Sequence, residues 1–504
     1  MVDVGYTHGY YSELNPVRAR FALLCAGYDS PAIETACELG FGQGISANFH
    51  AAGSTASWWG NDFNPTQAAR SQQMARASHA VANWTDESFA DFAGRTDLPE
   101  FDYIGLHGIW SWVSDANRTV LVDFIRRKLK VGGVLYISYN ALPGWSGFAP
   151  VRHVLTQHAT QMGAPGAGTQ SHIDDALHYL DTLMATQPAY ASSYAQVAER
   201  IAALKGKGRD YLAHEYFNRD WQPMHFSSVA EWLAPAKLQY ACSAHYLDHA
   251  DTINLTPEQI AHLSSIANPT LRETARDFMV NQQFRRDYWV KGGLKLNAWE
   301  QTERLRAQRL LLLTPRVQVA LKVHGHLGEG QMAPAVYGPV LDALAGHQPQ
   351  TFGQLEQAVQ PRGVDAVQLL QAVLILCGMG HVAMLQDNAA ADAARNQCDR
   401  LNGYVIGKAL GGSEFGYLAS PQTGGGVAVS RVEQLFLLAI DQGMKQPAEW
   451  AALAWHILQP QGFKMSEDGK PLQTDAEHIA ALRQQAQAFA AWRLPVLRAL
   501  QIAD

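Results

Sequence analysis

Cysteine is scarce in this chain: five thiols among 504 residues, at Cys25, Cys37, Cys242, Cys377 and Cys398, an odd number without close pairs. That spacing argues against a disulfide scaffold and against a zinc knuckle. Long apolar runs are missing too. No stretch approaches the roughly 20 continuous apolar residues of a membrane span, and no basic segment, apolar core and small-residue cleavage site mark a secretory leader at the start. A cytoplasmic protein with reduced thiols and no stable membrane insertion is the expectation. Positive charge is also in deficit, because 39 Lys and Arg stand against 46 Asp and Glu, a formal net charge of -7. A broad polyanion-binding surface, and with it nucleic acid, is disfavoured. No repeat of fixed period is visible.

What is present is core material: 47% hydrophobic against 17% charged residues, too apolar for a largely disordered chain and enough for about three domains. Residues 1–144 alternate short β-rich runs, near 31–39, 55–61, 80–84, 102–107 and 134–139, with crossovers at 43–52, 65–78, 87–94 and 117–129. That order predicts an α/β domain with a mostly parallel sheet covered on both faces. Residues 145–215 read as a helical insertion broken by glycine and proline at 163–168. The segment 216–295 returns to helix and strand, with 286–291 as a late strand of the same sheet. Beyond it, 296–384 reads as an accessory domain and 385–504 as a mainly helical one, with a glycine-rich stretch at 411–429 that carries no polar constellation of chemical use.

The sharpest local signal is Glu38-Leu39-Gly40-Phe41-Gly42-Gln43-Gly44, where the first strand turns into its helix. Glycine there allows a tight turn and a close approach of backbone to ligand. Alone, the run fits either a dinucleotide site or an ordinary loop, since it has neither the Gly-x-Gly-x-x-Gly spacing nor the Lys-Ser/Thr ending of a phosphate loop. About twenty residues on, at the end of the second strand, Asp62 offers a carboxylate able to accept both hydroxyls of a ribose, with Phe63 beside it to cover an adenine face. Asp86 and Ser88 follow the third strand. They fit an adenine contact or the cap of a helical turn.

This order of motifs resembles that of class I S-adenosylmethionine-dependent methyltransferases. In that family Glu38, Gly40, Gly42 and Gly44 would cradle the methionine part, Asp62 the ribose and Asp86 the adenine. The likeness narrows with Gly5-Tyr6-Thr7-His8-Gly9-Tyr10-Tyr11-Ser12-Glu13-Leu14-Asn15-Pro16, His107-Gly108-Ile109-Trp110-Ser111-Trp112-Val113, Ser138-Tyr139-Asn140-Ala141-Leu142-Pro143-Gly144-Trp145, His214-Glu215-Tyr216-Phe217, His225-Phe226 and Asn281-x-x-Phe284-Arg285-Arg286-Asp287-Tyr288. Together these resemble bacterial methyltransferases carrying a methyltransferase regulatory domain, over about the first 295 residues. Some members act on lysines of bacterial surface proteins as dimers, which implies a protein substrate and a homodimer here. Phe41 departs from the family, where cysteine is frequent, and should alter packing more than chemistry.

In an open α/β sheet the fourth and fifth strand ends face the same crevice as the glycine loop. His107 is therefore a candidate for cofactor contact or for a base, and Tyr139 and Asn140 for orienting an amine acceptor. Tyr11 and Tyr10 form an N-terminal cover, with Tyr11 among the catalytic candidates and Tyr10 on the substrate side. Trp110, Trp112 and Trp145 offer apolar or cation-attracting walls. His214, Glu215 and His225 have poor spacing for a metal, and none is expected. Arg285-Arg286 fits an acidic substrate loop or an internal pair with Asp287, whereas Arg126-Arg127-Lys128 suits a solvated helix end. The leading expectation is an S-adenosylmethionine-dependent N-methyltransferase acting on protein lysine and releasing S-adenosylhomocysteine. Two alternatives stay open: a small-molecule N- or O-methyltransferase, and a cofactor-binding regulatory or assembly protein without turnover.

Overall fold

The computed structural model describes residues 9–163, 166, 168–194, 196–467 and 470–504. Residues 5–8 of the opening motif, and 164, 165 and 167 of the expected break, lie outside them.

After α1 (Pro16–Cys25) the chain alternates β1 (Thr35–Leu39), α2 (Ile45–Ala52), β2 (Ser57–Asn61), α3 (Pro65–Ser78), β3 (Ala82–Thr85), α4 (Phe89–Gly94), β4 (Phe101–Leu106), α5 (Asp115–Lys128) and β5 (Leu129–Asn140). The strands and crossovers fall close to where the sequence pattern puts them, apart from β1, which begins four residues later, and β5, which begins five residues earlier. Its first residues pair with β4 across a register shift between Phe101 and Tyr103. The apolar runs of β4 and of β5 from Val134 onward are buried on both faces, the mark of parallel strands covered by helices on either side.

Five helices follow, α6 (Ala149–Gln161), α7 (Thr169–Ala185), α8 (Ala189–Ser193), α9 (Gln196–Lys205) and α10 (Arg209–Tyr216). Leu155, Ile173, Leu180, Ile201 and Leu212 give this insertion a core of its own. The chain then returns to the sheet through α11 (Phe226–Leu233), β6 (Leu238–Ser243), α12 (Asp251–Asn254), α13 (Pro257–Ser265), α14 (Pro269–Met279) and β7 (Phe284–Lys291). The seven-stranded order is β3-β2-β1-β4-β5-β7-β6. The first five strands are parallel, and β7 runs antiparallel to both β5 and β6. Reversal of β7 brings Phe284 opposite Asn140, so its first residues join the ligand-binding end of the sheet.

The accessory region is not a separate globule. Leu310, Leu312, Leu341 and Leu376 share one continuous core with Phe21, Trp58, Tyr136 and Tyr288 of the catalytic sheet. In the same way Leu401, Val405 and Phe436 of the last region pack with Ile45, Phe49 and Met74 of α2 and α3. The glycine-rich stretch, chemically silent in sequence, forms an antiparallel hairpin, Tyr417–Ser420 with Gly425–Ala428, that closes on the catalytic domain. A side chain at Gly53 would run into the backbone of Gly424 and Gly425, and one at Gly425 would strike Tyr10 and Asn15. Asn15 and Gln386 tie the seam by donating to Thr423 O and Gly53 O, each at 2.9 Å. Among the described residues no helix is long and apolar enough to cross a membrane.

Candidate functional site

The glycine loop is built by backbone conformation. Gly40, Gly42 and Gly44 all hold positive φ, at 69°, 58° and 68°, a region that costs any other residue about 1–2 kcal/mol. Gly40 and Phe41 donate to Asn61 O at 2.8 and 3.3 Å, which anchors the loop to the end of β2. A side chain at Gly40 would collide with Ile109, because the segment after β4 packs directly on the loop. Phe41 fills a buried place against Trp84, ring centroids 5.3 Å apart.

Asp62 closes the other side. One carboxylate oxygen accepts from Gly42 N at 2.9 Å and the other from Asn64 N at 2.9 Å. Burial raises its pKa, and these two backbone donors oppose the shift. The Gln67 amide also donates to Asp62, at 3.0 Å to Oδ1 and 3.3 Å to Oδ2, so a hydroxyl pair at this carboxylate takes the place of Gln67. Phe63 is 71% exposed at the rim, although it is a large aromatic side chain. Asp86 is exposed at the end of β3. Of the two roles open to Ser88, the structure shows the cap of α4: it accepts from Asp91 N at 3.2 Å and donates to Asp91 Oδ2 at 2.6 Å.

Glu38 is the strongest sign that the cradle is built for something cationic. It is buried at the end of β1, its Oε2 has no hydrogen-bond partner, and burial pushes its pKa up to about 8. An isolated buried carboxylate is costly unless a donor or positive charge meets it. The ammonium end of S-adenosylmethionine, through water or directly, is such a group; the ribose hydroxyls match Asp62 and the adenine face matches Phe63. The residues present therefore fit this cofactor.

Past β4, His107 is held by the Tyr136 hydroxyl at 2.8 Å and stacks on Tyr11 at 3.7 Å between centroids. Burial, with some help from Arg286 and against Glu13, lowers its pKa to about 4. The ring stays neutral at pH 7 and suits a positioning wall better than the base considered from sequence, because so weak a base has little drive to take a proton. Tyr11 N donates to Ser46 Oγ at 2.8 Å, which ties the N-terminal cover to α2. Gly108 N donates to Ser138 Oγ at 2.8 Å and Asn140 N to Ser111 Oγ at 2.9 Å, so the ends of β4 and β5 are stitched together. Asn140 Nδ2 is buried without a partner.

Several expected site residues go elsewhere. Tyr139 is buried and donates its hydroxyl to Asp287 Oδ2 at 2.8 Å, toward the Phe226 and Trp289 side of the sheet. Strand alternation separates it from Asn140. Trp110 lies wholly in the core, at 6.0 Å from Trp232, and lines no crevice. Trp112 and Trp145 both face Trp221, at 6.4 and 5.1 Å, in an aromatic junction between the sheet and the helical insertion. Tyr10 turns away from Tyr11: its hydroxyl meets His50 Nε2 at 3.0 Å and its ring packs on Tyr417, making it an anchor for the C-terminal hairpin. Among the described residues no group of three or more ligating side chains could hold a metal.

Sequence reasoning left Glu13 and Tyr136 unassigned. Arg286 reaches Glu13 Oε1 at 2.7 Å and so fixes the N-terminal cover to β7 beside His107. Glu13 sits inside the opening motif and was visible there, but its partner lies 273 positions away.

An open parallel sheet with this loop and these strand ends defines the class I methyltransferase fold. Residues 208–291 match a family described as "predicted methyltransferase regulatory domain". The chain is 36% identical over 100% of its length, and 98% of the relative's, to the uncharacterized protein sll1526 of Synechocystis sp.. A second relative, the uncharacterized protein RP789 of Rickettsia prowazekii, is 25% identical over 58% of this chain and 53% of its own. Among solved structures, PKMT2 from Rickettsia typhi in complex with AdoHcy superposes with a TM-score of 0.69 over 99% of both chains at 15% identity, a likeness of fold. The chain belongs to the class I S-adenosylmethionine-dependent methyltransferases that carry a methyltransferase regulatory domain.

Proposed function

We propose that this enzyme methylates lysine side chains of a protein by direct in-line transfer, with the donor held between the glycine loop, Glu38, Asp62 and Phe63. The observation that carries the donor site is the convergence of three left-handed glycines with an unpartnered buried carboxylate at one end of the sheet. Support for the acceptor comes from the family resemblance and from the full-length likeness to PKMT2. When bound, the donor supplies a methyl group on a positively charged sulfur. The chain's part is then alignment and exclusion of water, because transfer of this kind needs no covalent protein nucleophile. The stacked pair Tyr11 and His107 walls the crevice on one side. Asn140, with a free donor and an amide oxygen, orients the amine so that its lone pair faces the methyl carbon. An ammonium must lose a proton first, and with His107 held near 4 that proton goes to solvent.

Incubation with methyl-labelled donor and proteins of the same cell is expected to put label on lysine, read after hydrolysis as mono-, di- or trimethyl-lysine. Label appearing only in small molecules, or on oxygen, would overturn the acceptor assignment.

A pH profile tests the donor site separately. Glu38 is protonated in the free enzyme below about 8, and a cationic ligand pulls that proton off. Donor affinity, measured calorimetrically, therefore rises from pH 6 to pH 8, approaching tenfold per unit. Glu38→Gln flattens the profile. A flat profile in the parent enzyme contradicts the role given to Glu38.

A further inference from the structure

The glycine-rich stretch 411–429 carries a single charged side chain, Glu414. It meets Arg70 of α3, 344 positions away, where Arg70 Nη2 donates to Glu414 Oε2 at 2.5 Å. The same guanidinium turns Nη1 to Gln43 Oε1, at 3.2 Å. One arginine therefore joins the last region of the chain to the glycine loop. An ion pair between part-exposed side chains holds little by itself, and the weight of this one comes from the place of Gln43.

Gln43 stands between two left-handed glycines, Gly42 and Gly44. Neither has a side chain by which the turn can be gripped, and glycine leaves the backbone freer than any other residue. The Gln43 amide is the handle. At the next residue α3 grips the turn again: Asn48 Nδ2 donates to Gly44 O and to Ser71 Oγ, each at 2.8 Å. A side chain at Gly44 would strike Ser71 Oγ. Arg70 and Ser71 thus bear on Gln43 and Gly44 as two adjacent pairs.

The far end of α2 is held by the last region as well. Cys398 Sγ donates to Ala52 O at 3.3 Å and Gln386 Nε2 to Gly53 O at 2.9 Å. Between the two ends the helix Asn388–Ala409 packs along α3. The last region therefore grips the unit of glycine loop and α2 at both ends, and Arg70 is its route to the donor end.

We infer that Arg70 is a positioning residue for donor binding: held by Glu414, it fixes the Gln43 amide and with it the Gly42–Gly44 turn, so that the last region sets donor affinity. The inference rests on the donor site proposed above. A turn fixed before the donor arrives loses less freedom on binding it. The planar fork of arginine reaches a carboxylate and an amide oxygen at once, which the point charge of lysine does less well.

The test is calorimetric titration of the full chain with S-adenosylhomocysteine, which binds without turnover. Glu414→Gln is expected to weaken binding about threefold, the scale of one part-exposed ion pair. In a Gln43→Ala background the same change is expected to have no effect, because the route through which it acts has been cut. A second arm uses the parent chain. The ligand carries no net charge near neutrality, yet its affinity should fall about threefold between about 0.05 and about 1 M sodium chloride, as the Arg70 and Glu414 charges are screened. Glu38 is buried and is screened far less. Glu414→Gln removes the salt dependence. No loss from Glu414→Gln, equal losses in both backgrounds, or a parent affinity unmoved by salt overturns the inference and leaves the donor site standing. A parent chain that binds no nucleoside fails the donor site and takes this inference with it. Because the salt arm runs on the parent, a misfolded variant does not decide the matter.

Discussion

Replacing Gly42 with arginine removes donor binding and lowers methyl transfer by at least about 100-fold, the scale of loss when reacting groups are displaced by about 1 Å, while the chain stays folded. Gly42 holds φ at 58°, so any side chain there adds strain of about 1–2 kcal/mol. Its N–H still reaches Asp62, because that contact uses backbone alone. An arginine adds bulk and a positive charge to a loop whose two flanking glycines also turn left-handed, beside the place proposed for a donor that is itself cationic. Circular dichroism should match the parent, and calorimetry should show no heat of donor binding. A variant that binds and turns over within threefold of the parent would place the donor elsewhere.

Removing Arg285 has the largest expected effect on stability. Its guanidinium is 5% exposed, donates to Asp287, Asp277 and Glu273, and lies over the Phe226 ring at 4.4 Å. Arg285→Ala leaves two carboxylates with side chains 1% and 3% exposed facing one another without a counter-charge. Breaking a buried network in this way costs about 3–5 kcal/mol. The sign with pH follows from the same charges. In the variant the carboxylates bind protons more tightly when folded than when unfolded, so the deficit shrinks as pH falls from 8 toward 5. Arg285→Lys recovers only part, since an ammonium cannot serve three carboxylates in the plane of a fork. Urea unfolding followed by fluorescence reads the change. A loss below about 1 kcal/mol, independent of pH, would mean that the network contributes little.

The sheet was legible because buried parallel strands are short apolar runs ended by glycine or acidic turns, as at Glu38 to Gly44 and Asn61 to Asp62. The start of β5 was not, since Leu129 to Gly133 reads as a charged helix end running into a glycine turn, and its pairing depends on the partner strand. Within the site, composition identifies the chemistry of Asp62 but not its second task. The bond to Gly42 exists only once the loop has folded back. Adjacent residues were harder to separate. Tyr10 and Tyr11 look alike, yet one anchors a hairpin more than 400 positions away and the other stacks on His107. For Tyr139 and Asn140 the signal was available: alternation along a strand sends neighbours to opposite faces. The fate of Trp110 and of Arg285 was not available, because burial among distant partners leaves no local pattern.

The place of the bound cofactor decides the function of the glycine loop. A crystal structure of the chain with S-adenosylhomocysteine is expected to show the ribose hydroxyls on Asp62, the adenine against Phe63 near Asp86, and the amino group on the Glu38 side of the glycine loop. A nucleoside bound away from that loop, with Glu38 still without a partner, would contradict it.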